Sequence, residues 1–188
     1  MNLGEKRRAM HNLAKAIHAP EFPKGMEWFN ARARLHLRDF KGKIVLLFFW
    51  NSSCAECLRI VPDLERLHAK YEKELNIIGV HSPRLELEKS ALNVQKAISF
   101  HQIEFPVVND TGMLLWRAYD VRACPTIYIL DPKGVIMGYM CGEGVYSPMD
   151  ELVSELVSEC DAKGLIDRNP LKFLFDAIPE PETTFSPS

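Results

Sequence analysis

No stretch of this 188-residue chain can cross a bilayer as a helix: its most apolar run, residues 44–50, falls far short of the roughly 18 uncharged residues required. The first 19 residues are basic, but they have neither the apolar core nor the small-residue cleavage site of a secretory leader. The expectation is therefore a cytoplasmic protein with no membrane span. Its 10 glycines nowhere gather into a loop that could cradle phosphate. Five cysteines, at positions 54, 57, 124, 141 and 160, are too few and too scattered for a disulfide framework, and a chain this long can bury a core without one. There is one C-x-x-C and no second, and no H-x-x-x-H pair, so no metal site and no cofactor is expected. Charge of one sign is missing too, the formal net charge being −2. The first 60 residues hold 11 Lys+Arg against 5 Asp+Glu and the remainder 12 against 20, a lopsided balance without a nucleic-acid footprint.

What is present reads as one α/β domain. Over residues 4–18 Met10, Leu13, Ala14 and Ile17 recur at helical spacing among lysines and arginines, predicting an amphipathic helical extension over residues 1–19. Pro20 and Pro23 end it. The unbroken apolar run that follows Lys43 reads as a strand covered on both faces. Leu58, Val61, Leu64, Leu67 and Tyr71 then mark a helix, residues 76–80 a second buried strand, and Leu87, Ala91, Val94 and Ile98 a second helix. Strand, helix, strand, helix implies parallel pairing. Residues 126–130 and 135–141 flank Asp131-Pro132-Lys133-Gly134, which suits a type I turn, so an antiparallel hairpin is predicted. Leu152, Val153, Leu156, Val157 and Cys160 give a last helix, and residues 169–188 form a Pro-rich tail read as partly disordered. The domain itself is placed at residues 20–168.

The chemistry-bearing motif is Cys54-Ala55-Glu56-Cys57, at the junction of the first buried strand and its helix. A strand-to-helix turn puts the first sulfur at the helix N-terminus, where free amides and the helix dipole favour a thiolate. Each unit of pKa lowering corresponds to about 1.4 kcal/mol of preference for that thiolate. Cys54 is then the attacking thiol and Cys57, one turn further, the resolving one.

These residues resemble the thioredoxin-like superfamily: a strand ending in Phe49-Trp50, then C-x-x-C, then Pro62 inside the helix, with Cys124-Pro125-Thr126 far downstream. The resemblance implies a mixed central sheet sandwiched by helices, a cis-proline at Pro125 facing the dithiol, and exchange of disulfides with a protein disulfide or dithiol substrate, with a reductase or glutathione as second partner. Glu21-Phe22-Pro23, Trp28-Phe29-Asn30, Asp63-Leu64, residues 77–82 and Gly142-Glu143-Gly144 are similar, more narrowly, to the thioredoxin-like domain of NHL-repeat-containing proteins, over roughly residues 20–165. There a β-propeller follows, so this chain is expected to be a stand-alone relative or a truncated one.

Several positions depart from the superfamily pattern. Phe48 stands where thioredoxins carry a buried acid that moves the proton of the second cysteine, and Ser53 where a tryptophan precedes the first. His81, at the carboxyl end of the neighbouring strand, is either a substitute base or a satisfied strand-end histidine. Glu56 is either the partner of Ser53 in a capping box or a carboxylate that disfavours the Cys54 thiolate. Cys124 is either a third thiol that traps Cys54 in an alternative disulfide or helps form a metal or iron–sulfur site, or a small buried hydrophobe; Trp50 supports the site from its strand. Cys141 and Cys160 read as core packing. Asn51, where peroxiredoxins place a threonine, argues against peroxidase chemistry. The function expected is a thiol–disulfide oxidoreductase acting through Cys54 and Cys57. Its rival is a non-catalytic interaction module that has lost the acid at position 48, a remnant of a propeller-bearing protein.

Overall fold

The computed structural model describes residues 17–171. The expected amphipathic helix falls outside the described residues up to position 16, and the tail does so from position 172. His18, at the end of the first of these segments, pairs with Val135 as an isolated antiparallel bridge.

Six strands form one sheet: β1 (Glu27–Phe29), β2 (Ile44–Trp50), β3 (Leu75–His81), β4 (Val107–Asn109), β5 (Thr126–Leu130) and β6 (Ile136–Cys141), in the order β1-β4-β3-β2-β5-β6. β2, β3 and β4 run parallel; β1, β5 and β6 pair antiparallel at the two sides. The helices are α1 (Ala55–Lys70), α2 (Ala91–Phe100), α3 (Leu114–Ala118) and α4 (Tyr146–Ala162).

β2 is buried throughout because both its faces are covered. Leu46, Phe48 and Trp50 pack with Cys57, Ile60, Val61 and Leu64 of α1 and with Met149 and Val153 of α4. Val45, Leu47 and Phe49 meet Phe22, Phe40, Leu115 and Tyr119 on the opposite face. A two-residue side-chain period thus feeds two separate cores, and an unbroken apolar run is what a central strand between them requires. Gly79 of β3 sits in tight surroundings on the first of these faces. A Cβ there would sit 3.0 Å from Val107 and 3.1 Å from both Phe105 and the Trp50 indole nitrogen.

The predicted hairpin forms, with Gly134 N–H donating to the Asp131 carbonyl at 2.9 Å. The short elements β1, β4 and α3 carry too little periodicity to be read from sequence. Two expectations need correction. Leu87 is not on the core face of the second helix: it lies in a 3₁₀ turn ahead of α2 and is 78% exposed, because the chain turns Glu88 inward there instead. Cys141 is exposed rather than packed in the core. Its strand, β6, is at the sheet edge and its pairing with β5 shifts register between Ile129 and Leu130, so the alternation that put Cys141 in phase with Met137 does not define a covered face. Cys160 is buried as expected.

Candidate active site

β2 delivers the chain to the sheet edge at Trp50, and Asn51-Ser52-Ser53 turn it into α1, with Cys54 N–H donating to the Asn51 carbonyl at 3.2 Å. Cys54 itself is the N-cap, in extended conformation, and its Sγ accepts the Cys57 amide N–H at 3.1 Å. The cap rules out the expected Ser53–Glu56 capping box. Glu56 is one position too early in the helix to reach back, and it is exposed. The carboxylate that does hold the Ser53 amide is Glu88, at 2.9 Å, from the loop between β3 and α2.

Glu88 is 5% exposed and fully engaged. One oxygen accepts from Ser53 N–H and the Ser52 hydroxyl, the other from the amides of Arg84 at 2.7 Å and Leu85 at 2.9 Å. Burial pushes its pKa up, but the hydrogen bonds from Ser53, Leu85 and Arg84 outweigh burial and hold it below the usual carboxylate range. One ionised side chain therefore ties two sheet-edge loops together beside the dithiol. A buried acid inside a polar loop has no sequence signature.

Cys54 and Cys57 are joined as a disulfide, with Cα atoms 5.2 Å apart. Their environments differ: Cys54 is partly exposed at the helix start, whereas Cys57 faces the core and has no accessible surface. Only the first sulfur is open to a partner from solvent. Across from the pair runs the loop that enters β5, where the Cys124–Pro125 peptide bond is cis. The Cys124 carbonyl oxygen lies 3.8 Å from Cys54 Sγ, and Gly142 N–H donates to the Pro125 carbonyl at 3.1 Å, fixing this loop to the end of β6. The Cys124 thiol is half-buried and receives the side-chain N–H of Asn51 at 3.1 Å. Burial raises its pKa, with Arg84 opposing and Glu88 and Glu56 adding to the rise. Asn51, 1% exposed, is itself oriented by the Ser53 hydroxyl, which donates to its carbonyl at 3.0 Å.

Phe48 is completely buried under the site, stacked on Trp50 with ring centroids 6.3 Å apart. Trp50 is buried as well, so its support is from beneath and it offers no surface to a substrate. His81 lies on the same sheet edge, paired in register with Trp50 and packed edge-on against its ring at 5.0 Å. Its tautomer follows from its neighbour. The Asn109 amide nitrogen donates to Glu27 and to the Lys89 carbonyl, so the Asn109 oxygen faces His81 Nδ1 at 3.2 Å and requires a proton there. Burial lowers the His81 pKa, leaving a neutral ring whose Nε2 has no hydrogen-bond partner. The satisfied strand-end reading fits Nδ1. The three sulfurs of Cys54, Cys57 and Cys124 form a cluster that His81 does not join.

Among the described residues no helix is long and apolar enough to cross a membrane. The AhpC/TSA family matches residues 18–138. The chain is 33% identical over 173 residues to Protein SUPPRESSOR OF QUENCHING 1, chloroplastic, of Arabidopsis thaliana, a match covering 92% of this chain and 16% of that protein. It is 38% identical over 131 residues to NHL repeat-containing protein 2 of Homo sapiens, covering 68% of this chain and 18% of the relative. The chain thus spans less than a fifth of the length of either curated relative. Among solved structures, the thioredoxin domain of a thiol-disulfide oxidoreductase from Bacteroides vulgatus superposes with a TM-score of 0.61 at 26% identity, over 76% of this chain and 99% of that one.

Proposed function

The chain belongs to the AhpC/TSA family, with a thioredoxin-like fold, and on that premise we propose that it is a thiol–disulfide oxidoreductase that exchanges disulfides with protein or small thiol substrates through Cys54 and Cys57. The observation that carries this reading is the unequal burial of one bonded pair: Cys54 reachable at the helix N-terminus, Cys57 sealed behind it.

In the reducing direction the Cys54 thiolate attacks one sulfur of a substrate disulfide, and the other substrate sulfur leaves as a thiolate and takes up a proton. Cys57 then loses its proton and attacks Cys54 Sγ, the second substrate thiol departs, and the 54–57 disulfide is left. Two electrons pass to the substrate, and the reverse sequence oxidises a dithiol. The amide N–H of Cys57 on Cys54 Sγ, together with the first-turn amides of α1, stabilises the attacking thiolate. With Phe48 in the acid's place, the Cys57 proton goes to water or to the departing substrate thiolate. The Cys124–Pro125 loop, whose carbonyl approaches Cys54, is the surface along which a substrate lies.

The experiment is to reduce the protein, expose it to oxidised glutathione and count alkylatable thiols by mass, for wild type and for Cys54→Ser. Wild type should lose two thiols to a Cys54–Cys57 disulfide, mapped by mass, and Cys54→Ser should not form that bond. A wild type that takes up no internal disulfide, with Cys54 alkylating no faster than an ordinary thiol near neutral pH, overturns the reading. That outcome would favour an interaction module instead, the alternative to which the fully buried Phe48 points.

A further inference from the structure

Three sulfurs from two separate segments, Cys54 and Cys57 at the start of α1 and Cys124 on the loop before β5, lie within 4.8 Å of one another. Among the described residues no histidine or carboxylate joins the group. The C-x₂-C spacing is a recurrent metal chelate, and a third cysteine from a distant loop closes it on the far side. Ligand sulfurs about 2.3 Å from a common metal lie about 4 Å apart, and the third sulfur is within about 1 Å of that spacing. Two of the three sulfurs already accept N–H groups at 3.1 Å, Cys54 from the Cys57 amide and Cys124 from Asn51. The Asn51 donor is preset, being 1% exposed and held by Ser53. Donors of this kind orient metal-bound thiolates and spread their charge.

We propose that, once the Cys54–Cys57 disulfide is reduced, Cys54, Cys57 and Cys124 form a three-sulfur site for one Cu(I) ion. A dithiol substrate, itself oxidised to a disulfide by exchange, supplies two electrons and two protons and converts the 54–57 S–S bond into two thiols; the metal then displaces thiol protons to solvent and forms three Cu–S bonds without changing its own oxidation state. Soft thiolates select Cu(I), zinc and iron–sulfur clusters. Structural zinc sites close with four protein ligands. Three sulfurs, joined by no fourth cysteine, histidine or carboxylate among the described residues, fit the lower coordination number of Cu(I). The inference rests on the exchange reading only in needing a reducible pair, and it gives Cys124 a role that exchange by Cys54 and Cys57 does not use.

The test is an anaerobic titration of the full chain, reduced with a phosphine that is then removed, with Cu(I) against a chromophoric Cu(I) chelator. Wild type should take up one ion per chain, and X-ray absorption at the copper edge should show three sulfur neighbours. Cys124→Ser, which keeps an acceptor for Asn51, should bind at least tenfold more weakly, whereas Cys141→Ser and Cys160→Ser should bind as wild type does. Thermal unfolding checks that Cys124→Ser keeps its fold; if it does not, the sulfur count on wild type decides alone. Undiminished binding by a folded Cys124→Ser, a two-sulfur copper, or a wild type that takes Zn(II) but no Cu(I) each overturns the proposal. Failure of the exchange reading shows separately, as no 54–57 disulfide in glutathione-treated wild type, an assay that contains no copper.

Discussion

Glu88 and His81 are buried ionisable residues beside the same sheet edge, and they leave opposite marks on stability. The Glu88 carboxylate is held below its ordinary pKa by backbone hydrogen bonds that prevail over burial. Its contribution is present at neutral pH and is lost as pH falls through the ordinary carboxylate value, about 4.3, towards the lower folded one. Glu88→Gln should therefore cost about 1–3 kcal/mol at pH 7 in urea unfolding, and the gap to wild type should narrow as pH falls below the ordinary carboxylate value of about 4.3. A gap that does not depend on pH would assign Glu88 a packing role only. His81 is held neutral by burial, so below its ordinary value of 6.5 the unfolded chain binds a proton that the folded chain refuses. Stability should fall between pH 7 and 5 by up to about 1.4 kcal/mol per pH unit for this proton. His81→Gln should flatten that slope, leaving the share of His68, whose pKa burial also lowers. An unchanged slope in the variant would show that His81 titrates alike in both states.

Two elements depend on a single residue each. β3 passes close to its neighbours at Gly79, where a Cβ would lie 3.0 Å from a Val107 methyl and 3.1 Å from Phe105 and the Trp50 indole nitrogen, so those side chains would have to give way to it. Gly79→Ala should cost about 1–3 kcal/mol, as overpacking does, read as a lower urea midpoint with the m-value unchanged. A neutral result would mean that β3 and β4 can separate slightly without penalty. α3 is five residues long and has Asp110 beneath its N-terminus, the carboxylate accepting from the amides of Leu114 at 2.7 Å, Leu115 at 3.2 Å and Trp116 at 2.9 Å. Asp110→Ala should cost about 0.5–2 kcal/mol and speed amide exchange at 114–116 selectively. Uniform exchange across the chain would argue that α3 is held by Leu115 in the core instead. Neither dependence shows in the sequence, where Gly79 is one glycine in an apolar run and Asp110 one acid in a loop. Helix α1, by contrast, is legible from Leu58 to Leu67 because its apolar face repeats at helical spacing over about three turns.

At the scale of the molecule, two cores on either side of one sheet carry the fold, and the disulfide lies at the sheet edge closing a loop with a sequence separation of only 3. So short a loop constrains the unfolded chain little, about 2 kcal/mol in the chain-entropy account. Reduction should lower the unfolding free energy by no more than that and leave the protein folded, checked by urea denaturation with and without a phosphine reductant. Unfolding on reduction would make the pair structural and remove the basis for redox cycling. Cys54 and Cys57 can then change oxidation state while β2, β5 and the Cys124–Pro125 loop stay in place, as both the exchange chemistry and the copper site require.

Patterns within a few residues of one another were enough for the buried strand β2, the helix after it, the hairpin turn at Asp131–Gly134, and Cys54 and Cys57 at a strand-to-helix junction. In each the signal is a repeat or spacing along the chain, and hydrogen bonds or side-chain periodicity act over that same range. Contacts between distant segments settled the rest. Glu88 took the capping role expected of Glu56 because the loop after β3 folds 35 residues back onto Ser53. Cys141 lost its core place because it ends an edge strand whose side-chain alternation is broken by a register shift. Cys124 became the third sulfur of a cluster because antiparallel pairing of β5 with β2 brings its loop to the start of α1. Burial and proximity of this kind are properties of chain packing, and no local alternation of residue types encodes them.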